Sequence, residues 1–306
     1  MNAAMDPSLE LETLRDCIRF AASRFKAAGL FYGHGTASAL DEAMALVLYV
    51  LHLPHDLPGG YFEARLTLAE RRAILSLMQR RIDERKPLAY LTQEAFFAGH
   101  AFFVDERVLV PRSPFAELIH SAYEPWVDAD RVQRVLDLCT GSGCIALATA
   151  LALPQAQVDG VDVSAEALEV AEINRQRFGL GDRVRLIRSD LYTALPETPY
   201  DLIVSNPPYV STAEWQDLPD EYHAEPRLGL ESGADGLDCI RALLQGAPRY
   251  LADEGVLLVE VGSAAEALMN AYPEVPFSWL EFDQGGEGVF MLTAAELREL
   301  VRGGVL

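Results

Sequence analysis

Hydrophobic positions along this chain follow two rhythms. In the first 90 or so residues they recur every three or four places. Leu14, Ile18, Ala21 and Phe25 line one face after an Asp6-Pro7 start, and two further helices are predicted over 39–52 and 67–85. Gly29, Gly33, Gly35 and the stretch Pro54–Gly60 separate these helices. Next, AFFAGHAFFVDERVLV (95–110) reads as two short strands around a turn, and PRSPFAELI leads into a helix. From Val132 onward, compact apolar runs alternate with helical ones. VQRVLDLC, AQVDGVDV, VRLIRSD, YDLIVSN and GVLLVEVG are predicted strands; GCIALATALAL, SAEALEVAEINRQRF and LDCIRALLQGAPRYL are predicted helices. FSWLEFDQ and GVFMLT close the chain as a strand pair. Repeated strand–helix units imply an α/β fold, a Rossmann-like, mostly parallel sheet with helices on both faces. Three parts are expected: a small all-helical domain over 1–92 that recognises substrate, a linking β-hairpin over 93–112, and the α/β domain over 113–306.

Composition narrows the picture. A chain of 306 residues, half of them hydrophobic, can bury a large core. Its longest uncharged apolar run, Ala43–Leu51, falls far short of the roughly 20 residues of a membrane span. The acidic residues Asp6, Glu10 and Glu12 do not form the basic start of a signal peptide, so no membrane association and a cytoplasmic location are expected. Cys17, Cys139, Cys144 and Cys239 show no metal-type spacing and read as free thiols, and none of the six histidines pairs with another, so no metal is expected. The formal charge of −21 is uneven: residues 1–95 carry 11 basic and 12 acidic side chains, against 14 and 34 in the remainder. Between Asp201 and Asp238 nine acids face one base, Arg227, a bias expected to repel a phosphate backbone and attract a cationic partner. Arg71, Arg72, Arg80, Arg81, Arg85 and Lys86 form a basic run that fits either a solvated helix face or contact with an acidic surface.

The candidate chemistry lies where predicted strands end. DLCTGSGCIA (137–146) joins a strand to a helix through Gly141 and Gly143, which let the backbone turn sharply and approach a ligand. Asp137, Cys139, Thr140, Gly141, Ser142 and Gly143 are the candidate cofactor contacts of this loop. Asp162 is placed to accept hydrogen bonds from ribose hydroxyls. Asp190 can accept from an adenine amino group while Leu191 packs on the base. The glycine loop alone also fits a dinucleotide site. VSNPPYV (204–210) is more selective. An amide nitrogen is a poor nucleophile because its lone pair is delocalised, and two acceptors facing the NH₂ favour its pyramidal form. Asn206 Oδ1 and the Pro207 carbonyl can supply them, Pro207 and Pro208 stiffen the backbone, and Tyr209 can stack on the planar group.

In order and spacing, these residues resemble the class I S-adenosylmethionine methyltransferases. The likeness is closer to the glutamine N5-methyltransferases that modify translation proteins. It runs through VLVPRSPFAEL, DLCTGSGCIAL, VDVS, SDLY, VSNPPYV and EPRLGLESGADGLD, nearly the whole chain. It implies a class I methyltransferase fold, S-adenosyl-L-methionine as cofactor, and Asn206, Pro207 and Tyr209 as catalytic residues. It also implies Asn206 in contact with the cofactor and Glu225, with Pro208, shaping the substrate side. The release-factor branch usually shows P-R-P-D-T-E after the hairpin. This chain has Pro111-Arg112-Ser113-Pro114-Phe115-Ala116-Glu117, with Cys139 where many relatives carry glycine. Both features are similar to the branch acting on the third large-subunit ribosomal protein. The resemblance therefore implies a basic ribosomal protein as substrate, with Glu225-Pro226 and Asp235-Gly236-Leu237 forming a wall that Arg112 and Glu117 brace. Release-factor methylation, an adenine-N6 nucleic-acid methyltransferase, an NAD-dependent oxidoreductase and a non-catalytic assembly factor are the alternatives. The acidic bias speaks against nucleic acid. The oligomeric state is not legible.

Overall fold

The computed structural model describes residues 6–283 and 285–306. The first five positions of the expected helical domain, and the last position of FSWLEFDQ, Gln284, lie outside the described residues. Two compact units are present, one ending at Glu94 and taking in Pro219–Ala224, the other formed by Ala95–Leu218 and Glu225–Leu306.

The first unit is helical: α1 (Leu14–Ala27), α2 (Ala39–Val50), α3 (Leu68–Glu84) and α4 (Leu88–Thr92). Asp6-Pro7 opens a short 3₁₀ turn and not the helix itself; α1 starts one turn later, where Thr13 and Asp16 form a reciprocal capping box. Leu14, Cys17, Ile18, Ala21 and Phe25 form its buried stripe against Leu46, Val47 and Ile74. The basic run does not make one surface. Arg81 is fully buried and donates from Nε to Glu42 Oε1 at 2.7 Å and from Nη2 to the Phe31 carbonyl at 3.1 Å. Its Nη1 lies 3.5 Å from Glu221 Oε1 in the inserted segment, where Tyr222 packs on His34 with ring centroids 4.5 Å apart. Arg80 pairs instead with Glu84 on its own helix, so neighbouring arginines point into different environments.

In the second unit, β1 (Ala95–Phe97) and β2 (His100–Phe102) form the expected hairpin, turning through Ala98 and Gly99 at φ 46° and 79°. The segment 103–110 leaves the hairpin as irregular chain and does not extend it. The remaining elements are α5 (Phe115–His120), β3 (Arg134–Leu138), α6 (Cys144–Ala152), β4 (Gln157–Asp162), α7 (Ala165–Arg177), β5 (Val184–Arg188) and β6 (Tyr200–Ser205). They continue as α8 (Thr212–Asp217), α9 (Asp238–Tyr250), β7 (Leu251–Glu260), α10 (Ala265–Ala271), β8 (Ser278–Trp279), β9 (Val289–Thr293) and α11 (Ala294–Gly303). The sheet order is β5-β4-β3-β6-β7-β9-β8, with β5 through β7 parallel and β9 antiparallel to both its neighbours. Alternate residues feed opposite faces, as a strand's period of two requires. Val135, Val158, Leu202 and Leu258 pack with α5 and α6, whereas Leu136, Val161, Ile203 and Leu257 pack with α9 and α11. No helix among the described residues is long and apolar enough to cross a membrane.

Candidate active site

The strand order reverses between β3 and β6. The chain runs outward from β3 to β5, then returns to build β6 on the opposite side of β3. Crossovers there leave opposite faces of the sheet and open a crevice beyond the carboxyl ends of both strands. The loop 139–143 leaves β3 at this point and Asn206–Tyr209 leaves β6.

The loop after β3 is shaped by left-handed backbone at Cys139, Gly141 and Gly143, with φ of 61°, 54° and 78°. Glycine is the residue this conformation favours, so the Cys139 side chain is held against a local preference. Its Sγ lies 3.9 Å from Cys239 Sγ, and that neighbour together with burial raises the Cys139 thiol well above its ordinary range. A thiol so held is protonated and packs without acting as a nucleophile. Beneath the loop, Asp137 is fully buried. Its Oδ2 accepts from Thr140 Oγ1 at 2.5 Å and from the Ala146 amide at 3.1 Å, so it ties β3 to the first turn of α6. Burial pushes its carboxyl up to about 7. Asp162, closing β4, accepts from the amides of Gly141 and Ser164, each at 2.9 Å. It too is raised by burial. Each carboxylate oxygen keeps a second lone pair after one such bond, so Asp162 retains acceptor capacity.

After β6, three contacts fix Tyr209. Its carbonyl faces Gly236, where a Cβ would lie 2.3 Å away; its ring faces Gly262, where a Cβ would lie 2.6 Å away. Its hydroxyl donates to Glu260 Oε1 at 3.2 Å, and Glu260 Oε2 accepts from Ser113 Oγ at 2.5 Å. Burial pushes Glu260 up to about 7 against the opposing pull of the two hydroxyls and of Arg112. Val210 then pairs with Glu231 in a parallel bridge that holds the exit of the motif against the segment before α9.

Arg112 grips Glu225 in a two-pronged pair at 2.6 and 2.7 Å, and the Val110 amide donates to the same carboxylate at 2.9 Å. Glu117 accepts from the Asp283 amide at 3.0 Å. The acidic window is also less naked than its composition implies. Glu225 pairs with Arg112, Glu231 with Arg227, and Asp235 and Asp238 with Arg241, while Asp220 and Glu221 meet Arg85 within the helical unit. Most of these arginines come from outside residues 201–238, which is why a count along the chain overstates the field.

A cavity of about 440 Å³ gathers Cys139, Thr140, Gly141, Ser142, Asp162, Asp190, Leu191, Asn206 and Pro208. Ile145, Val161 and Val163 add an apolar lining, and Ser113 and Arg112 stand at one side. Asp137, Gly143, Pro207, Tyr209 and Glu225 are outside this lining. Asp137 and Glu225 instead hold it from behind, and Tyr209 is half-buried beside it. A side chain at Gly141 would meet nothing within 4 Å, so bare backbone faces the cavity at the loop's tip. The volume suits a small-molecule cofactor, and carboxylates at two strand ends with an apolar bed between them suit a nucleoside. Sequence reading missed Glu260 and Gly262. The signal was present, since Glu260 is the one charge in the apolar run GVLLVEVG.

Residues 125–220 match the methyltransferase small domain family. Over 95% of its length the chain is 52% identical to the ribosomal protein uL3 glutamine methyltransferase of Xanthomonas campestris pv. campestris, covering 94% of that protein. It is 51% identical over 94% of its length to the proteins of the same name from Neisseria meningitidis serogroups A and B, covering 95% of each.

Proposed function

The chain belongs to the family of ribosomal protein uL3 glutamine methyltransferases, and from that premise we propose that it methylates the side-chain amide nitrogen of a glutamine in ribosomal protein uL3. The observation that carries this reading is the placement of Asn206 and Pro208 on the cavity shared with Asp162, Asp190 and the 139–143 loop. S-adenosylmethionine supplies a methyl group already activated by its sulfonium. Asp162 holds the ribose hydroxyls, Asp190 the adenine amino group and Leu191 the base, with the 139–143 backbone along the remainder.

Asn206 and the Pro207 carbonyl accept hydrogen bonds from the glutamine NH₂, which turns its lone pair out of conjugation and aims it. Tyr209 covers the planar amide. No strong base is required, because the amide proton becomes acidic as the new bond forms. Pairing of the nearby acids also shapes substrate choice: recognition of a basic protein rests on the few acids left exposed and on shape. A ribosomal substrate places the reaction in the cytoplasm.

The test is methyl transfer from labelled S-adenosylmethionine to purified uL3, with the modified residue located by mass spectrometry. Asn206→Ala should abolish transfer while cofactor affinity by calorimetry changes by only a few fold. Transfer to a release factor in place of uL3, or to another residue type, would overturn the substrate; full activity of Asn206→Ala would remove Asn206 from the mechanism.

A further inference from the structure

Glu260 occupies the last position of β7, paired across the sheet with Val289, and is 5% exposed. The positions before it in the strand, Val256 to Val259, are apolar and buried. A carboxyl group in such a slot is disfavoured by desolvation, and an apolar side chain would not be. Arg112, the charge that acts on it, is engaged by Glu225. Its two oxygens are instead divided between hydroxyls that arrive from different segments, Ser113 from the stretch before α5 and Tyr209 from the exit of β6. Ser113 is itself fixed, since its Oγ accepts from the Phe115 amide at 3.1 Å.

Building on the amide methylation proposed above, we propose that Glu260 is a positioning residue for methyl transfer, holding the Tyr209 ring in one orientation through its hydroxyl. The physical need is specific. A tyrosine after two prolines has its backbone restricted, but its ring still turns about two side-chain bonds. Gly262 permits the ring to lie close and supplies no grip, because it has no side chain. The hydroxyl is the one polar handle on the ring. The hydroxyl lies on the ring's long axis, so anchoring it from β7 fixes where the ring points and keeps it from swinging away from the amide. Ser113 completes the anchor by holding the other carboxylate oxygen, which fixes the plane of the carboxyl group.

The experiment is a double-mutant cycle in the full chain. kcat and KM for uL3, and the dissociation constant for S-adenosylmethionine, are measured for wild type, Tyr209→Phe, Glu260→Leu, which has no acceptor, and the double variant. Each single change should lower kcat about tenfold, with cofactor affinity little changed, and the double should be no worse than the worse single, because both remove one contact. Wild-type kcat in Tyr209→Phe, or losses that multiply in the double variant, would overturn the proposal. If Glu260→Leu does not fold, Ser113→Ala decides the matter: its loss should vanish in the Tyr209→Phe background, and persistence of that loss there would overturn the proposal. One readout needs no substrate. Signals of labelled Tyr209 by NMR should shift or broaden in Glu260→Leu as the ring swings between rotamers about its first side-chain bond, and unchanged signals would overturn the idea. A wild-type chain that leaves uL3 unmodified would sink the substrate reading alone, since the ring measurement stands apart from it.

Discussion

The buried acids of the helical unit and two buried acids of the sheet unit, Asp137 and Glu260, are held in opposite ways. In the helical unit Glu42 and Glu221 face a guanidinium. Arg81 touches both and is itself fully buried, while Thr36 and the Phe31 amide take up further lone pairs. Burial holds the Glu42 carboxyl above its ordinary value even as Arg81 draws it down. In the sheet unit Asp137 and Glu260 form no ion pair among the described residues; a hydroxyl and an amide N–H donate to Asp137 Oδ2 while its Oδ1 stays unpartnered, and two hydroxyls donate to Glu260. A buried ion pair is a lock whose halves are costly to separate. A carboxyl among neutral donors can exchange its proton near neutrality and can brace groups of either polarity. The first arrangement suits a scaffold, the second a site.

That contrast can be broken at several points. The largest effect is expected from Arg81→Met, which strands buried Glu42 and leaves Glu221 with Arg85 alone, and should cost about 3–5 kcal/mol in chemical denaturation without acting on the sheet unit's chemistry. A cost no larger than that of a surface substitution would erase the difference between the units.

The second effect is on pH. Glu260 is held at about 7 when folded, against an ordinary value of 4.5, so the folded state keeps its proton where the unfolded chain has lost it. The sign follows: Glu260's contribution to stability is fully present below about 4.5 and is lost as pH rises through about 7, about 3 kcal/mol in total. Glu260→Gln should remove that part of the slope from the pH dependence of Tm, leaving the contribution of Asp137, which has the same sign. An unchanged slope would show that Glu260 titrates normally.

Gly262→Ala comes third. Its Cβ would meet the Tyr209 ring at 2.6 Å on a backbone at φ 42°, so it should cost about 1–3 kcal/mol and lower kcat more than it raises KM. A variant with wild-type kcat would show that the ring does not need its place.

Salt should matter least. With Glu225, Glu231, Asp235 and Asp238 already paired, turnover on uL3 should change by less than about threefold between low and physiological salt. A steep fall would restore the open acidic field that the chain's composition suggests.

Much of the architecture was legible because it is local. Capping boxes, apolar stripes at helical spacing and compact apolar runs are written within ten or twenty residues, and α1, α2, α3 and β3 to β7 fall close to where those patterns put them. What was not legible is the short or the distant. α8 spans six residues and α10 seven, too few to carry a period, whereas the closing strand pair was predicted and is present as β8 and β9. The strand reading over 103–110 failed because its apolar residues, Val104, Val108 and Val110, are buried by packing and not by a strand partner. For the site, Asn206, Asp162 and Asp190 could be placed by the rule that ligands gather at strand ends. Tyr209's anchor could not, since Ser113 and Glu260 lie 147 residues apart.

Taken alone, the sequence determined which segments become strands and helices and which residues stand at strand ends, because backbone sterics and apolar periodicity act between near neighbours. Tertiary structure decided the charge states and the partners. It supplied Arg112 to Glu225 and Arg81 to Glu221, and it buried Glu260 against two hydroxyls. Electrostatic energy depends on distance and burial, and neither is a property of position along the chain.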